Sequence, residues 1–465
     1  MKETKHTSRE RSSFRDPAGF LFNENGRLLR QVNPEGKEDY DFLMASGLYE
    51  KLVEKQLLVP HKEITDHAGF CQPYYKVIQP EMIAFISYPY EWSFSQLKDA
   101  ALTTLRIQKI SLEHGMTLKD SSAYNIQFKD GSPVFIDTLS FRIYQESEPW
   151  EGYRQFCQHF LAPLALMQQT DVRLNQLLKF YLDGIPLDLA SRLLPFTTKL
   201  RFPFLMHIHL HAKAQTNYGN KGSASKGVRI KRSNLIALID SLFNLVNKLV
   251  LKKQKTEWSH YYTFTNYTNT AFNYKKELLN QFLKKTDTQT LWDLGANTGE
   301  FTLVATQSGI DCIAFDIDPV AVETFYKHIK GEKITNILPL VMDLTNPTPS
   351  IGWNNEERMS ISERPHPDTI LALALIHHLA ISNNLPFNRI AEFLSGLCDN
   401  LVIEFVPKSD SQVVKLLSSR RDVFPMYDKA NFEREFSTFF TIIAQEQIKE
   451  SERILYLMKK RVNVV

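Results

Sequence analysis

The sequence is poor in the features that would narrow its function quickly. Its four cysteines, Cys71, Cys157, Cys312 and Cys398, are scattered without paired spacing. That pattern excludes a disulfide framework and fits reduced thiols. Charge of one sign is also missing: the net charge is +3 over 465 residues, so composition gives no ground for nucleic-acid binding. No apolar run reaches the length of a membrane span. Met1–Arg15 is polar and charged, without the apolar stretch of a secretory signal. There is no internal repeat. These absences lead to the expectation of a soluble, cytoplasmic protein, and 465 residues are too many for one ordinary core.

What is present falls into two halves. Residues 1–13 are expected as a disordered tail. From Phe14 to Val32 apolar positions alternate around Asn23-Glu24-Asn25-Gly26, a hairpin-type turn. Helical spacing of Tyr40, Leu43, Met44, Leu48, Leu52 and Val53 predicts one helix over Asp39–Gln56. Strands are predicted at Tyr75–Gln79 and Met82–Ser87, and a long helix over Ser95–His114. Then Asp120 is followed five residues later by Asn125, by a Lys129-Asp130-Gly131 turn, and by an apolar strand ending at Asp137.

That order of an Asp, an Asn, a hairpin and a second Asp resembles the catalytic core of the protein-kinase-like fold. The resemblance implies an α+β kinase-like domain over 14–211. It also implies Asp120 as the group orienting an acceptor hydroxyl, Asn125 and Asp137 as magnesium holders, and a nucleotide as partner of this half. The departures are plain. No Gly-rich phosphate loop precedes Val32, and Arg30 stands nearest the position of the usual lysine, with Glu50 or Glu54 as partner carboxylates. The Asp-Phe-Gly triplet becomes Asp137-Thr138-Leu139. The scaffold is expected, phosphoryl transfer less so, because fold does not fix function. Asp and Asn also cap turns.

Further on, His207, His209 and His211 alternate without a nearby Cys or carboxylate; packing and hydrogen bonding are expected there, and no metal. Ala212–Arg232 carries six Lys or Arg and no acid, and is taken as a flexible basic linker. An amphipathic helix follows over Ser233–Lys253. It is suited to a membrane surface or, as favoured here, to packing between domains. Linker and helix together occupy 212–255.

From Trp258 onward strand and helix alternate, which implies an α/β arrangement on a parallel, doubly wound sheet. An aromatic-rich lead-in (Trp258, Tyr261, Tyr262, Tyr267, Tyr274) precedes a helix at Lys275–Lys284. Next come Asp293-Leu294-Gly295-Ala296-Asn297-Thr298-Gly299, then Phe315-Asp316-Ile317-Asp318, then Met342-Asp343-Leu344. A fourth strand over Thr369–Ile376 ends at His377-His378, and a fifth over Leu401–Val406 carries Glu404. The tail predicts a hairpin of two long strands, Thr438–Lys449 and Arg453–Arg461.

These ordered motifs over 256–465 resemble class I S-adenosylmethionine-dependent methyltransferases. The whole layout is similar to bacterial nodulation-type methyltransferases. The resemblance implies a Rossmann-like seven-stranded sheet with a C-terminal antiparallel hairpin, and S-adenosyl-L-methionine as cofactor. Gly295, Ala296, Asn297, Thr298, Gly299 and Phe301 would cradle its methionine part, and Asp293 would favour its ammonium. Asp316 would accept the ribose hydroxyls, and Asp343 the adenine amino group, with Ile317 and Leu344 beside the ring. A turn or cap is the alternative for each Asp.

Methyl transfer requires a nucleophile positioned behind the methyl group, and a base only for a protonated acceptor. His378 is the first candidate base, with His377 and Glu404 beside it; an ordered, pocket-shaping histidine is the alternative. Pro407, Tyr427 and the Phe-rich 432–440 stretch are expected on the substrate side. The expected partner is a small-molecule, glycan or lipid-linked acceptor. Nucleic acid is not expected: the absence of an Asn-Pro-Pro-Tyr-type tetrapeptide after the fourth strand weakens base-amine methylation, and the basic linker alone is poor evidence for nucleic acid, though protein and nucleic-acid substrates stay open. A bifunctional phosphotransferase/methyltransferase and a non-catalytic cofactor-binding regulator stay open as alternatives.

Overall fold

The computed structural model describes residues 7–67, 73–212, 230–252, 268–418 and 421–461. Cys71, most of the basic linker and the aromatic stretch Trp258–Tyr267 lie outside the described residues. Contacts divide the chain into two units: Met1–Lys253 with Ser350–Arg358, and Gln254–Pro349 with Met359–Val465.

The first unit opens with five strands: β1 (Thr7–Arg9), β2 (Gly19–Glu24), β3 (Arg27–Val32), β4 (His61–Ile64) and β5 (Lys76–Pro80). They form an antiparallel sheet in the order β1-β2-β3-β5-β4. The β2–β3 hairpin turns on Asn25 and Gly26, at φ 52° and 80°, the two positive dihedrals that a tight right-twisted hairpin needs. Thr7–Arg9, expected in a disordered tail, instead pairs with Phe22–Glu24, and the Arg9 guanidinium lies over the Phe20 ring. The single helix expected at Asp39–Gln56 is two, Lys37–Ala45 and Leu48–Glu54. The break is at Gly47, whose φ of 74° is left-handed and ends the first helix. No strand forms over Met82–Ser87.

A long helix, Phe94–Glu113, runs through this unit, its start fixed by a Ser93/Gln96 capping box. The helix Arg232–Lys248 packs against it. Leu235, Ile239, Leu242 and Val246 are buried, each contributing about 2 kcal/mol by removal from water. Lys98 donates to the carbonyls of Asn247 and Leu249 at its C-terminal end, where cations are favoured. This helix is therefore part of the first unit's core. Two further strand pairs belong to the unit, β6 (Met116–Leu118) with β9 (Phe141–Ile143) and the hairpin β7 (Ile126–Lys129) with β8 (Ser132–Phe135), followed by short helices between Tyr153 and Leu210.

Ser350–Arg358 joins this unit although the chain on either side of it belongs to the second. Arg15 binds the Glu357 carboxylate through Nε and Nη2, and Arg358 lies 4.1 Å from the Tyr124 ring centre.

The second unit is a seven-stranded sheet. Its strands are β10 (Thr290–Leu294), β11 (Asp311–Asp316), β12 (Ile337–Val341), β13 (Thr369–Ala372), β14 (Asn400–Phe405), β15 (Phe440–Gln447) and β16 (Ile454–Lys460). The order is β12-β11-β10-β13-β14-β16-β15. β10 to β14 run parallel, and β16 lies antiparallel between β14 and β15. The expected C-terminal hairpin is β15–β16. The chain runs outward from β10 through β11 to β12, then returns to β10's other side with β13. That reversal opens a crevice beyond the C-terminal ends of β10 and its neighbours. The helix expected at Lys275–Lys284 starts earlier, at Asn269, where Thr268 caps it.

Gly299 closes the turn after β10 at φ +84°, and a Cβ there would stand 1.9 Å from the Phe325 ring. Gly299→Ala is expected to cost about 2–4 kcal/mol through positive φ and overpacking. Gly309→Ala, at φ +78° but in open space, should cost only about 1 kcal/mol. Thermal denaturation of the two variants checks the difference.

Candidate functional site

The crevice begins at the end of β10. Asp293 is buried there and accepts a 2.6 Å hydrogen bond from the Thr302 hydroxyl. Burial raises its carboxyl to about 6, against the opposing pull of Thr302 and Lys275. The backbone then turns back on itself: Gly295 and Ala296 both donate to the Phe315 carbonyl, at 2.8 and 2.9 Å. Gly295, Asn297 and Gly299 all take positive φ, so the turn is glycine-dependent at two of its three left-handed positions. Asn297 Oδ1 accepts from the Thr298 amide.

Asp316, at the end of β11, ties this turn to the next strand. Its Oδ2 accepts from the Asn297 amide at 2.7 Å and its Oδ1 from the Asp318 amide at 2.8 Å. Burial raises it to about 6 despite those bonds. Each oxygen keeps acceptor capacity. Ile317 beside it is an exposed apolar side chain. Asp343 lies beyond β12, which ends at Val341. Its Oδ1 caps a turn, accepting from the amide and hydroxyl of Thr345, and Leu344 is half-buried next to it. Phe301 is buried against Phe272.

Across the crevice, β13 ends at Ala372, short of the expected Ile376, because Ala374 turns to φ 49°. The turn delivers His377 and His378, with ring centres 4.1 Å apart. His377 is fully buried, and neither ring nitrogen has a hydrogen-bond partner among the described residues. Burial holds it well below the usual histidine range, and holds His378 at about 4. Both imidazoles are neutral at pH 7.

Glu404, on β14, is fully buried and fully engaged. Its Oε2 accepts from Lys275 Nζ at 2.5 Å and from the Ala374 amide at 2.7 Å, and its Oε1 faces Arg453 Nη1 at 3.4 Å. Arg453 is in turn held by Asp410 through Nε and Nη2, at 2.8 and 3.0 Å. A carboxylate so neutralised is a poor proton acceptor and a good anchor. Lys275 Nζ also lies 4.4 Å from the Phe301 ring centre, which joins the anchor to the glycine-turn side. Beyond β14, Tyr427 donates to the Val406 carbonyl and stacks on Phe405. Phe387, Phe424, Met426 and Tyr427 line a cavity of about 360 Å³.

Sequence reasoning missed Lys275, Arg453, Asp410 and Thr302. A signal for Lys275 was present: it sits on the apolar stripe of its helix with Ala271, Leu278, Leu279 and Phe282, all buried, where a lysine needs a buried anion.

In the first unit, Asp120, Asn125 and Asp137 do come together. Asn125 Nδ2 donates to Ser140 Oγ, which donates to Asp137 Oδ2 at 2.7 Å. The Ser122 amide donates to Asp120 Oδ1 at 2.9 Å, and the Asp120 carboxyl is raised by burial and then by the nearby Asp137 charge. Asp137 Oδ1 receives Arg30 Nη1 at 2.6 Å and the Leu139 amide. Burial alone would raise Asp137; Arg30 and these bonds outweigh it and hold the carboxyl below its ordinary value. Arg30 reaches Asp16 as well, at 3.6 Å. With a guanidinium seated on Asp137, these residues do not fit the magnesium ion that the kinase-like pattern implied. Among the described residues no cluster suits a metal. His209 bonds Ser191 Oγ and Thr198 Oγ1, and His207 bonds Tyr153, so these histidines brace helices.

The Lys275–Glu404 pair makes a clear stability prediction. Lys275→Met should cost about 3 kcal/mol by removing the nearest cation from Glu404 and leaving its buried charge to the Ala374 amide and the longer contact with Arg453. Adding Glu404→Gln should restore part of that loss. Chemical denaturation of the single and double variants checks both.

No family model matches the chain. Among solved structures, it is similar to the PH0226 protein from Pyrococcus horikoshii OT3, at 14% identity and a TM-score of 0.33, over 45% of this chain and 100% of that one. It is also similar to the N-methyltransferase NodS from Bradyrhizobium japonicum WM9, at 12% identity and a TM-score of 0.32, over 42% of this chain and 98% of that one. Overlaps this partial add nothing to the sheet order. The relation to the nodulation protein NoeA of Rhizobium meliloti (strain 1021) is of another kind, 34% identity across 457 residues, covering 96% of this chain and 95% of that one. The chain belongs to the NoeA family of nodulation proteins.

Proposed function

We propose that the second unit is an S-adenosylmethionine-dependent methyltransferase acting on a small-molecule, glycan or lipid-linked acceptor. The observation that supports this best is the tie between Asn297 and Asp316. It sets one buried carboxylate beside a glycine turn, with a second, Asp293, at the adjoining strand end, at the point where the sheet order reverses. The cofactor, when bound, supplies an electrophilic methyl group on a sulfonium. Asp293 pairs with its ammonium, Asp316 accepts its ribose hydroxyls, and Ile317 and Leu344 flank the adenine, whose amino group Asp343 accepts. The glycine turn lets the backbone approach the methionine part without a Cβ in the way.

On the acceptor side, neutral His378 accepts a hydrogen bond from the acceptor's hydroxyl or amine and orients its lone pair. His377 backs it, and Glu404 anchors the turn that carries both. A histidine held at about 4 is available at neutral pH but weakly basic, so orientation outweighs proton abstraction. The first unit serves as a kinase-like substrate-binding or regulatory module. Arg30 on Asp137 argues against phosphoryl transfer there.

Two measurements test this reading. Asp293 and Asp316 titrate at about 6, and a cationic cofactor prefers them ionised. Binding therefore releases protons, and affinity rises as pH rises through 6. Calorimetric titration with S-adenosylmethionine should show affinity about a hundredfold weaker at pH 5 than at pH 7, about tenfold from each carboxylate, and Asp293→Asn should reduce that pH dependence to the roughly tenfold share of Asp316. Heat-silent titrations at both pH values would overturn the cofactor assignment. His378→Ala should slow methyl transfer about a hundredfold at unchanged cofactor affinity; an unchanged rate would remove His378 from the chemistry.

A further inference from the structure

One surface of the first unit is built inside out. Over Leu187–Leu210 the chain folds into short helical turns. Thr198 and His209 are only 0% and 5% exposed there, while Phe196, Leu200 and Phe202 are 69%, 75% and 71% exposed. Met206 and Leu210 are exposed alongside them. A loop that met only water would place its threonine and histidine outward. Here His209 clamps the inside: Nδ1 to Ser191 Oγ at 2.7 Å and Nε2 to Thr198 Oγ1 at 2.9 Å. Thr198 Oγ1 also donates to the Pro195 carbonyl. These bonds pin the turn carrying Phe196 and Leu200 to the segment carrying Met206 and Leu210, so the apolar side chains are held outward by internal polar contacts.

The charges interleaved with them are basic. Arg192, Lys199 and Arg201 are exposed among the apolar groups. The nearest acid, Asp188, stands 3.9 Å from Arg192. A second copy of this face would meet its own positive charge, which disfavours self-association. Aromatic and aliphatic tips among Lys and Arg instead match an anionic lipid surface: apolar groups enter the acyl boundary and cations meet headgroup phosphates. We propose that Phe196, Leu200 and Phe202, with Arg192, Lys199 and Arg201, form a docking surface for an anionic membrane, lying on the bilayer without crossing it. Among the described residues no helix is long and apolar enough to span one. This inference is independent of the methyltransferase reading.

The test is flotation of the full chain with vesicles of phosphatidylcholine alone or with about one third phosphatidylglycerol, a composition that supplies the anionic charge. The protein is expected to float with the anionic vesicles, at least about tenfold more than with neutral ones, and to be released by 0.5 M salt, roughly the range that screens such contacts. Phe196→Glu/Leu200→Glu/Phe202→Glu should abolish flotation without moving the thermal midpoint, because all three side chains are already in water. Flotation of this variant equal to the parent would overturn the proposal. So would absence of the parent from anionic vesicles, including the case in which light scattering shows a dimer that the variant loses.

Discussion

A buried carboxylate with three donors fixes the second unit's site. Glu404 is out of water entirely, and an isolated charge there would cost several kcal/mol. It stays because three separate elements converge on it: the helix before β10 through Lys275, the turn after β13 through the Ala374 amide, and the start of β16 through Arg453. One anion therefore sets the separation of parts that the strand ladder alone leaves loose. The glycine turn, the histidine turn and the returning C-terminal strand all take their positions around it. Ion pairs of this kind add little net stability compared with apolar packing, but they penalise every other arrangement.

The parts of the site legible in the sequence were those written locally. Asp293, Gly295, Gly299 and Asp316 could be read because a strand, a tight turn and a strand end each leave a mark within a few residues. The β2–β3 turn was legible for the same reason, since Asn25-Gly26 can hold two positive dihedrals at low cost. The remainder depended on distance. Lys275 and Glu404 are 129 positions apart, and no local pattern pairs them; only the odd cation on an apolar stripe hinted at a partner. Helix and strand ends slipped where a single left-handed residue, Gly47 or Ala374, cut short a pattern that periodicity alone would have continued.

The first unit shows the same electrostatics put to a different end. Asp120, Asn125 and Asp137 gather as their order suggested, but Arg30 brings its own positive charge to Asp137. A metal-free carboxylate cluster is self-repelling, and a resident guanidinium relieves that repulsion without any ligand. The Arg30–Asp137 pair thus holds this cluster together with the chain's own charges. Nearby, the His209 clamp spends polar contacts on holding greasy side chains outward, a local reversal of the usual inside-outside order.

The excursion of Ser350–Arg358 bears on how this chain can be made. Glu357 and Arg358 belong structurally to the unit whose sequence otherwise ends at Lys253. A ribosome has therefore released more than a hundred further residues, counted from Lys253 to Glu357 and Arg358, before Arg15 and Tyr124 acquire their last neighbours. The first half cannot finish maturing as it emerges. A gene split at the linker would yield two fragments, one short of a piece and the other carrying a piece without a place.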